Sequence, residues 1–153
     1  RYPQAFEKFK PACRESDLSL CSRDEIVNAY DNAILYTDHF LAKAIELLQK
    51  NDSKFETGLF YVSDHGESLG ENGLYLHGLP KSFAPSAQLH VPAIMWLGSR
   101  FHATTTPALL AKSKKRFSHD NVFHTVLGLF EIDSATYRPE MDILSQAKTP
   151  KAL

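Results

Sequence analysis

The sequence predicts an α/β fold, and three observations carry that prediction. Apolar residues recur at helical spacing from about Arg23 to Lys50. Two short apolar runs, Gly58–Val62 and Val91–Leu97, read as strands. A second helical face begins after Ser118. Helix, strand, loop, strand, helix is the order of an α/β unit.

Residues 1–22 read as irregular, because Pro3 and Pro11 break periodicity and Asp17, Ser19 and Ser22 favour turns. Tyr2, Phe6 and Phe9 allow one short amphipathic turn. Ser22 and Glu25 then form a capping box, with Asp24 also in the first turn, where an anion suits the helix dipole. Ile26, Tyr30, Ile34, Leu41, Ala44 and Leu48 mark the apolar face of the first helix, which should end at Asn51-Asp52. Gly58–Val62 has the apolar, aromatic character of a buried strand. From Ser68 to Pro85 the chain is rich in Gly and Pro, which predicts a long functional loop rather than packed secondary structure. Pro92 places a strand start or an edge at the head of the second strand. Gly98 to Arg116 reads as a Thr- and Lys-rich connection. Ser118 is the expected cap of the second helix, whose apolar face is Val122, Phe123, Val126, Leu127 and Phe130. The tail from Asp133 has little periodicity, and fraying is expected at its end. There is no internal repeat.

Composition bounds the function. The chain has 153 residues, 17 basic and 18 acidic, for a formal net charge of −1. That is one domain of ordinary size with no basic patch or stripe, so no nucleic-acid partner is expected. The most apolar stretch, Val91–Leu97, falls far short of the ~20 residues that a spanning helix needs. The chain opens on Arg1-Tyr2-Pro3 without Met, which reads as a fragment or processed piece. Cys13 and Cys21 lie eight apart in a polar stretch. They are either unrelated free thiols or the ends of a small disulfide loop in an oxidising compartment. A zinc site is the weaker option for them, because no His lies nearby.

The chemistry concentrates where the first strand ends, at Asp64-His65-Gly66-Glu67, with His77 twelve residues beyond His65. Asp offers a hard oxygen and neutral His a borderline nitrogen, a set that suits Zn²⁺ or Mn²⁺ better than Ca²⁺. Adjacent side chains of a strand point to opposite faces, so two neighbours share a metal only where the backbone turns. Gly66 supplies that freedom. An Asp-His-Gly tripeptide is also a common turn, and two ligands are too few for a zinc shell. His77 is either a solvent-exposed loop histidine or a phosphate-binding or acid-catalytic group. Glu67 is a surface acid, a carboxylate supporting the metal site or a ligand to a second metal. Lys81 is a phosphate partner or a solvated lysine. His39 reads as structural, and His90, His102, His119 and His124 show no ligand spacing.

The stretch from Tyr61-Val62-Ser63-Asp64-His65-Gly66-Glu67 through Leu74-Tyr75-Leu76-His77-Gly78 resembles the phosphoethanolamine–lipid A transferases, the family that includes the mobile colistin-resistance enzymes. Arg1-Tyr2-Pro3, the Cys13 and Cys21 segment with Val27 to Asn32, and Ser118 to Gly128 agree with it. The resemblance implies an alkaline-phosphatase/sulfatase-like sandwich, a central sheet flanked by helices. Residues 1–153 would be the C-terminal portion of a single periplasmic catalytic domain, with the nucleophile and the transmembrane helices upstream. It implies a Cys13–Cys21 disulfide and one or two zinc ions. Asp64 and His65 would be zinc ligands, and His77 and Glu67 would lie at the transferred phosphate or a second zinc. Phosphatidylethanolamine is the implied donor and lipid A the acceptor, at the periplasmic face of the bacterial inner membrane. A Thr nucleophile would carry phosphoethanolamine between them, and the outcome would be polymyxin and colistin resistance. None of Thr37, Thr57, Thr104, Thr105 or Thr125 stands in the family's nucleophile context, so no catalytic nucleophile is assigned here. The chain alone is therefore expected to be inactive, to hold zinc weakly and to be marginally stable. The alternatives are a piece of another sulfatase-superfamily hydrolase or of a phosphoglycerol transferase, or a non-catalytic truncated module. A Thr nucleophile in the parent protein would favour the transferase, and a modified Cys or Ser a sulfatase.

Overall fold

A computed structural model describes residues 2–101 and 105–145. Helix α1 spans Arg23–Asn51, β1 Gly58–Val62, β2 Ser68–Leu69, β3 Tyr75–Leu76, α2 Ser86–Leu89, β4 Ala93–Leu97, α3 Thr105–Lys112 and α4 Asp120–Leu129. Strands β1 and β4 pair antiparallel, Val62 opposite Ala93, and β2 and β3 form a separate small hairpin. The α/β class stands. No helix among the described residues is long and apolar enough to cross a membrane.

The capping box forms as expected. Ser22 Oγ accepts from the Glu25 N–H at 3.3 Å, and the Glu25 carboxylate accepts from the Ser22 N–H at 2.8 Å. Two of the helix's orphan N-terminal donors are thereby satisfied. Asn32, fully buried, fastens the N-terminal segment to α1. Its Oδ1 accepts from the N–H groups of Lys8 and Phe9 at 2.7 and 2.9 Å, and its Nδ2 donates to the Phe9 carbonyl. Cys13 and Cys21 are joined in a disulfide. At the other end of α1, Asp52 receives the Thr57 hydroxyl and the Ser99 N–H and hydroxyl, tying the helix to the end of β4.

Several expectations need correction. The Ser68–Pro85 loop contains the β2–β3 hairpin, and the short helix α2 follows directly after it. The Gly98–Arg116 connection contains α3. Ser118 is not the cap of α4: His119 holds the N-cap position with no side-chain cap bond, and the Ser118 hydroxyl reaches Asp120 instead. The buried positions of α4 are Thr125 and Gly128, whereas Phe123 and Phe130 of the expected apolar face are 55 % and 73 % exposed. Thr125 and Gly128 are buried because the segment after Asp133 packs on the polar side of α4. Asn121 Nδ2 donates to the Met141 carbonyl, Thr125 Oγ1 accepts from the Ile143 N–H, and Leu144 is buried. The expected fraying concerns residues 146–153, outside the described residues. Strand β1 is half-buried rather than buried, because β4 is its sole partner among the described residues.

Candidate active site

Strand β1 delivers Ser63, Asp64, His65 and Gly66 to one tight turn. The Ser63 hydroxyl donates to the His65 carbonyl at 2.8 Å, and the His65 N–H donates to Asp64 Oδ1 at 3.0 Å. The Gly66 N–H donates to the Gln88 carbonyl at 3.0 Å, which lays α2 against the turn. A Cβ at position 66 would lie 1.9 Å from the Ala87 carbonyl oxygen, so this close approach requires glycine. Gln88, buried, also donates from its side chain to the buried Ser68 hydroxyl at 2.9 Å.

Asp64 Oδ2 lies 3.7 Å from His65 Nε2. His65 Nδ1 is 3.1 Å from the Gly66 carbonyl, an acceptor only, which assigns the neutral ring's proton to Nδ1 and the lone pair to Nε2. Asp64 is held below the ordinary carboxylate range, first by the His65 N–H and then by its own N–H. Asp64 is thus biased toward the ionised form that a metal ligand needs. Two ligand atoms in a tetrahedral zinc shell lie about 3.3 Å apart for bonds of ~2.0–2.1 Å. The observed pair is close to that bite.

The hairpin brings in the rest. His77 Nδ1 donates to Glu67 Oε1 at 3.0 Å, and Glu67 Oε1 is 3.9 Å from His65 Nδ1. The two imidazoles stack with centroids 3.6 Å apart. His65, Glu67 and His77 each offer a ligand atom, all within 4.8 Å of one another. Glu67 Oε2 is buried without a hydrogen-bond partner, an orphaned acceptor that a cation would satisfy. Leu76 at φ 60° and Gly78 at φ 116° turn the chain on either side of His77.

Three of the four sequence-predicted site residues, His65, Glu67 and His77, therefore meet, and Asp64 approaches His65 alone. Asp64 is the outlier: its side chain is 87 % exposed and it stands outside the three-residue cluster. Lys81 is exposed in the loop beyond His77. The Thr37, Thr57 and Thr125 hydroxyls donate to the Ala33 carbonyl, the Asp52 carboxylate and the Asn121 carbonyl, all away from this turn. Thr104 and His102 lie outside the described residues. His39 packs its ring on Phe6, in keeping with a structural part. The residue missed from sequence is His119, whose Nε2 lies 2.8 Å from the Ser63 carbonyl. Ligand spacing could not have found it, since it contacts the backbone of the turn.

An α/β fold carrying this turn at a strand end is consistent with a sulfatase-type protein, and a sulfatase family profile matches residues 1–132; the chain belongs to the sulfatase family. Its relatives there are phosphoethanolamine transferases. It is 45 % identical over 152 residues to phosphoethanolamine transferase EptA of Salmonella typhimurium, covering 97 % of this chain and 28 % of that protein. It is 43 % identical over 134 residues to phosphatidylethanolamine transferase Mcr-1 of Escherichia coli, covering 86 % of this chain and 24 % of that protein. It matches the crystal structure of the soluble domain of lipooligosaccharide phosphoethanolamine transferase A from Neisseria meningitidis with TM-score 0.92 at 46 % identity, covering 98 % of this chain and 46 % of that one. The chain thus spans 24–28 % of these two curated relatives.

Proposed function

We propose that these residues form part of the active site of a zinc-dependent phosphoethanolamine transferase. It would take the group from phosphatidylethanolamine and pass it to a lipid A phosphate, at the periplasmic face of the inner membrane. The observation that carries this reading is the Asp64–His65 pair, an anionic oxygen and a nitrogen lone pair 3.7 Å apart on one turn. Asp64 and His65 fit half of a zinc shell, and the orphaned Glu67 Oε2 fits a cation beside it. Zinc bound there supplies Lewis acidity toward a phosphoryl group.

The chain's own residues do the rest. Glu67 fixes the His77 tautomer by accepting its Nδ1 proton, leaving the Nε2 lone pair to take up a proton and, once it carries one, to donate to a phosphoryl oxygen. The described Thr hydroxyls named above are committed to backbone or Asp52, which supports a nucleophilic Thr outside these residues. In this reading the chain is the C-terminal portion of one sulfatase-like catalytic domain. The disulfide suits an oxidising compartment. Ethanolamine on lipid A lowers its negative charge, which weakens attraction for cationic peptides such as colistin.

The test is zinc content and transfer from a labelled phosphatidylethanolamine donor, in a chain carrying these residues within the complete catalytic domain. Stoichiometric zinc and label transfer, both lost in Asp64→Ala, are expected. Undiminished zinc and transfer in Asp64→Ala would sink the reading.

A further inference from the structure

The β1–β4 ladder has an unfinished rung next to the ligands. In an antiparallel pair, residues at hydrogen-bonded positions exchange two N–H···O bonds. Gly98 donates to the Thr57 carbonyl at 2.8 Å, so Thr57–Gly98 is such a pair. With Gly58 opposite Leu97 and Val62 opposite Ala93, the alternation makes Ser63–Pro92 another. The Ser63 N–H does donate to the Pro92 carbonyl at 3.3 Å. Pro92 has no N–H and cannot return the bond. The carbonyl left over belongs to the residue immediately before Asp64.

His119, at the start of α4 and 56 residues away in sequence, places Nε2 at 2.8 Å from that carbonyl. A carbonyl only accepts, so Nε2 carries the proton. We infer that His119 is a positioning residue for the zinc ligands, supplying through Nε2–H the donor that Pro92 lacks and so fixing the Ser63–His65 turn. The inference rests on the proposal that Asp64 and His65 hold zinc. The neighbouring bonds make the effect directional. Ser63 Oγ holds the His65 carbonyl and Gly66 N–H holds Gln88, so the Ser63 carbonyl is the turn's tie to α4. Without it, the peptide joining Ser63 to Asp64 can rotate, and the Asp64 carboxylate swings relative to His65 Nε2. His119 meets the turn at a backbone carbonyl.

The experiment compares wild type, His119→Ala, His119→Gln, Asp64→Ala and the double variant Pro92→Ala/His119→Ala in the complete catalytic domain. Zn²⁺ affinity is read by competition with a chromophoric chelator, and melting temperature with and without EDTA. His119→Ala is expected to weaken zinc about tenfold, the scale of losing a group that orients a ligand, with the EDTA melting temperature nearly unchanged. His119→Gln, whose amide N–H reaches the same carbonyl, should recover most of the affinity. Pro92→Ala/His119→Ala, which restores a backbone N–H to the rung, should recover part. Wild-type zinc affinity in His119→Ala, with Asp64→Ala still losing zinc, overturns this inference alone. A His119→Ala loss that neither His119→Gln nor Pro92→Ala repairs, or one matched by a fall in the EDTA melting temperature, also overturns it. Unchanged zinc in Asp64→Ala overturns both this inference and the proposed function.

Discussion

Glu67 Oε1 accepts the Nδ1 proton of His77 at 3.0 Å across ten residues of sequence, and so orients the ring stacked on His65. Glu67→Ala frees that ring and removes a negative charge from the cluster. Transfer rate is expected to fall 10–100-fold, the usual cost of losing a partner that orients a site imidazole. Glu67→Gln, which keeps an acceptor oxygen, should fall less. Steady-state kinetics with a labelled donor checks the order.

His77→Ala removes the ring itself. If His77 places a proton or a hydrogen bond on the phosphoryl group, kcat should drop about 10²-fold or more. Zinc content measured by elemental analysis should stay closer to wild type than in Asp64→Ala. Equal loss of zinc in the two variants would make His77 a ligand of the same ion as Asp64.

Gly66→Ala tests the close approach of α2. The new Cβ would meet the Ala87 carbonyl at 1.9 Å, so backbone must shift on one side. A stability loss of about 1–3 kcal/mol is expected from overpacking, read by denaturant melts, together with weakened zinc binding. Full retention of both would show that α2 can move away without cost to the turn.

Asp52 gives a pH signature away from the site. Its carboxyl is held below the ordinary range, most by the Ser99 hydroxyl, then by the Thr57 hydroxyl and the Ser99 N–H. A carboxyl depressed in the folded state contributes stability above its unfolded value, about 3.9 for Asp, and loses it as pH falls through the lower folded value. The melting-temperature gap between wild type and Asp52→Asn should therefore be level above about pH 5 and close below about pH 4. A gap that grows on acidification would contradict the assignment.

The disulfide pins the loop that precedes α1, where the Cys13 N–H donates to the Glu25 carbonyl at 2.9 Å. Chain entropy for so short a loop suggests a loss of about 2–3 kcal/mol in the Cys13→Ser/Cys21→Ser variant. Thermal melts of oxidised, reduced and double-Ser protein should rank it highest only when oxidised.

Much of this was legible beforehand, and the reasons differ by element. Helix α1 carries its start signal in Ser22 and Glu25 and a sustained period, so its bounds were readable to within a residue at its C-terminal end, but its face was not: Ile34 of the expected stripe is 50 % exposed and Asn32 is buried. Pro92 announced the start of β4, which begins at Ala93. The β2–β3 hairpin was not legible, because strands of two residues have no period and its turn depends on positive φ at Gly70, Asn72 and Gly73. Helix α3 was hidden by Thr and Lys, residues that equally suit a connection. On α4 the apolar stripe misled, since the packed side is chosen by hydrogen bonds from Asn121 and Thr125 to the segment at Met141–Ile143. The cluster of His65, Glu67 and His77 was foreshadowed by residue type and order, whereas His119 contacts a carbonyl, and a backbone acceptor leaves no mark in sequence.

The half-finished rung between Ser63 and Pro92 also bears on which changes of length the chain can absorb. Side chains alternate across a strand, so one residue added or removed within Gly58–Val62 would bring a different carbonyl to His119 and turn the ligand pair to the other face. That five-residue segment is closed to insertion and deletion, whatever residues fill it.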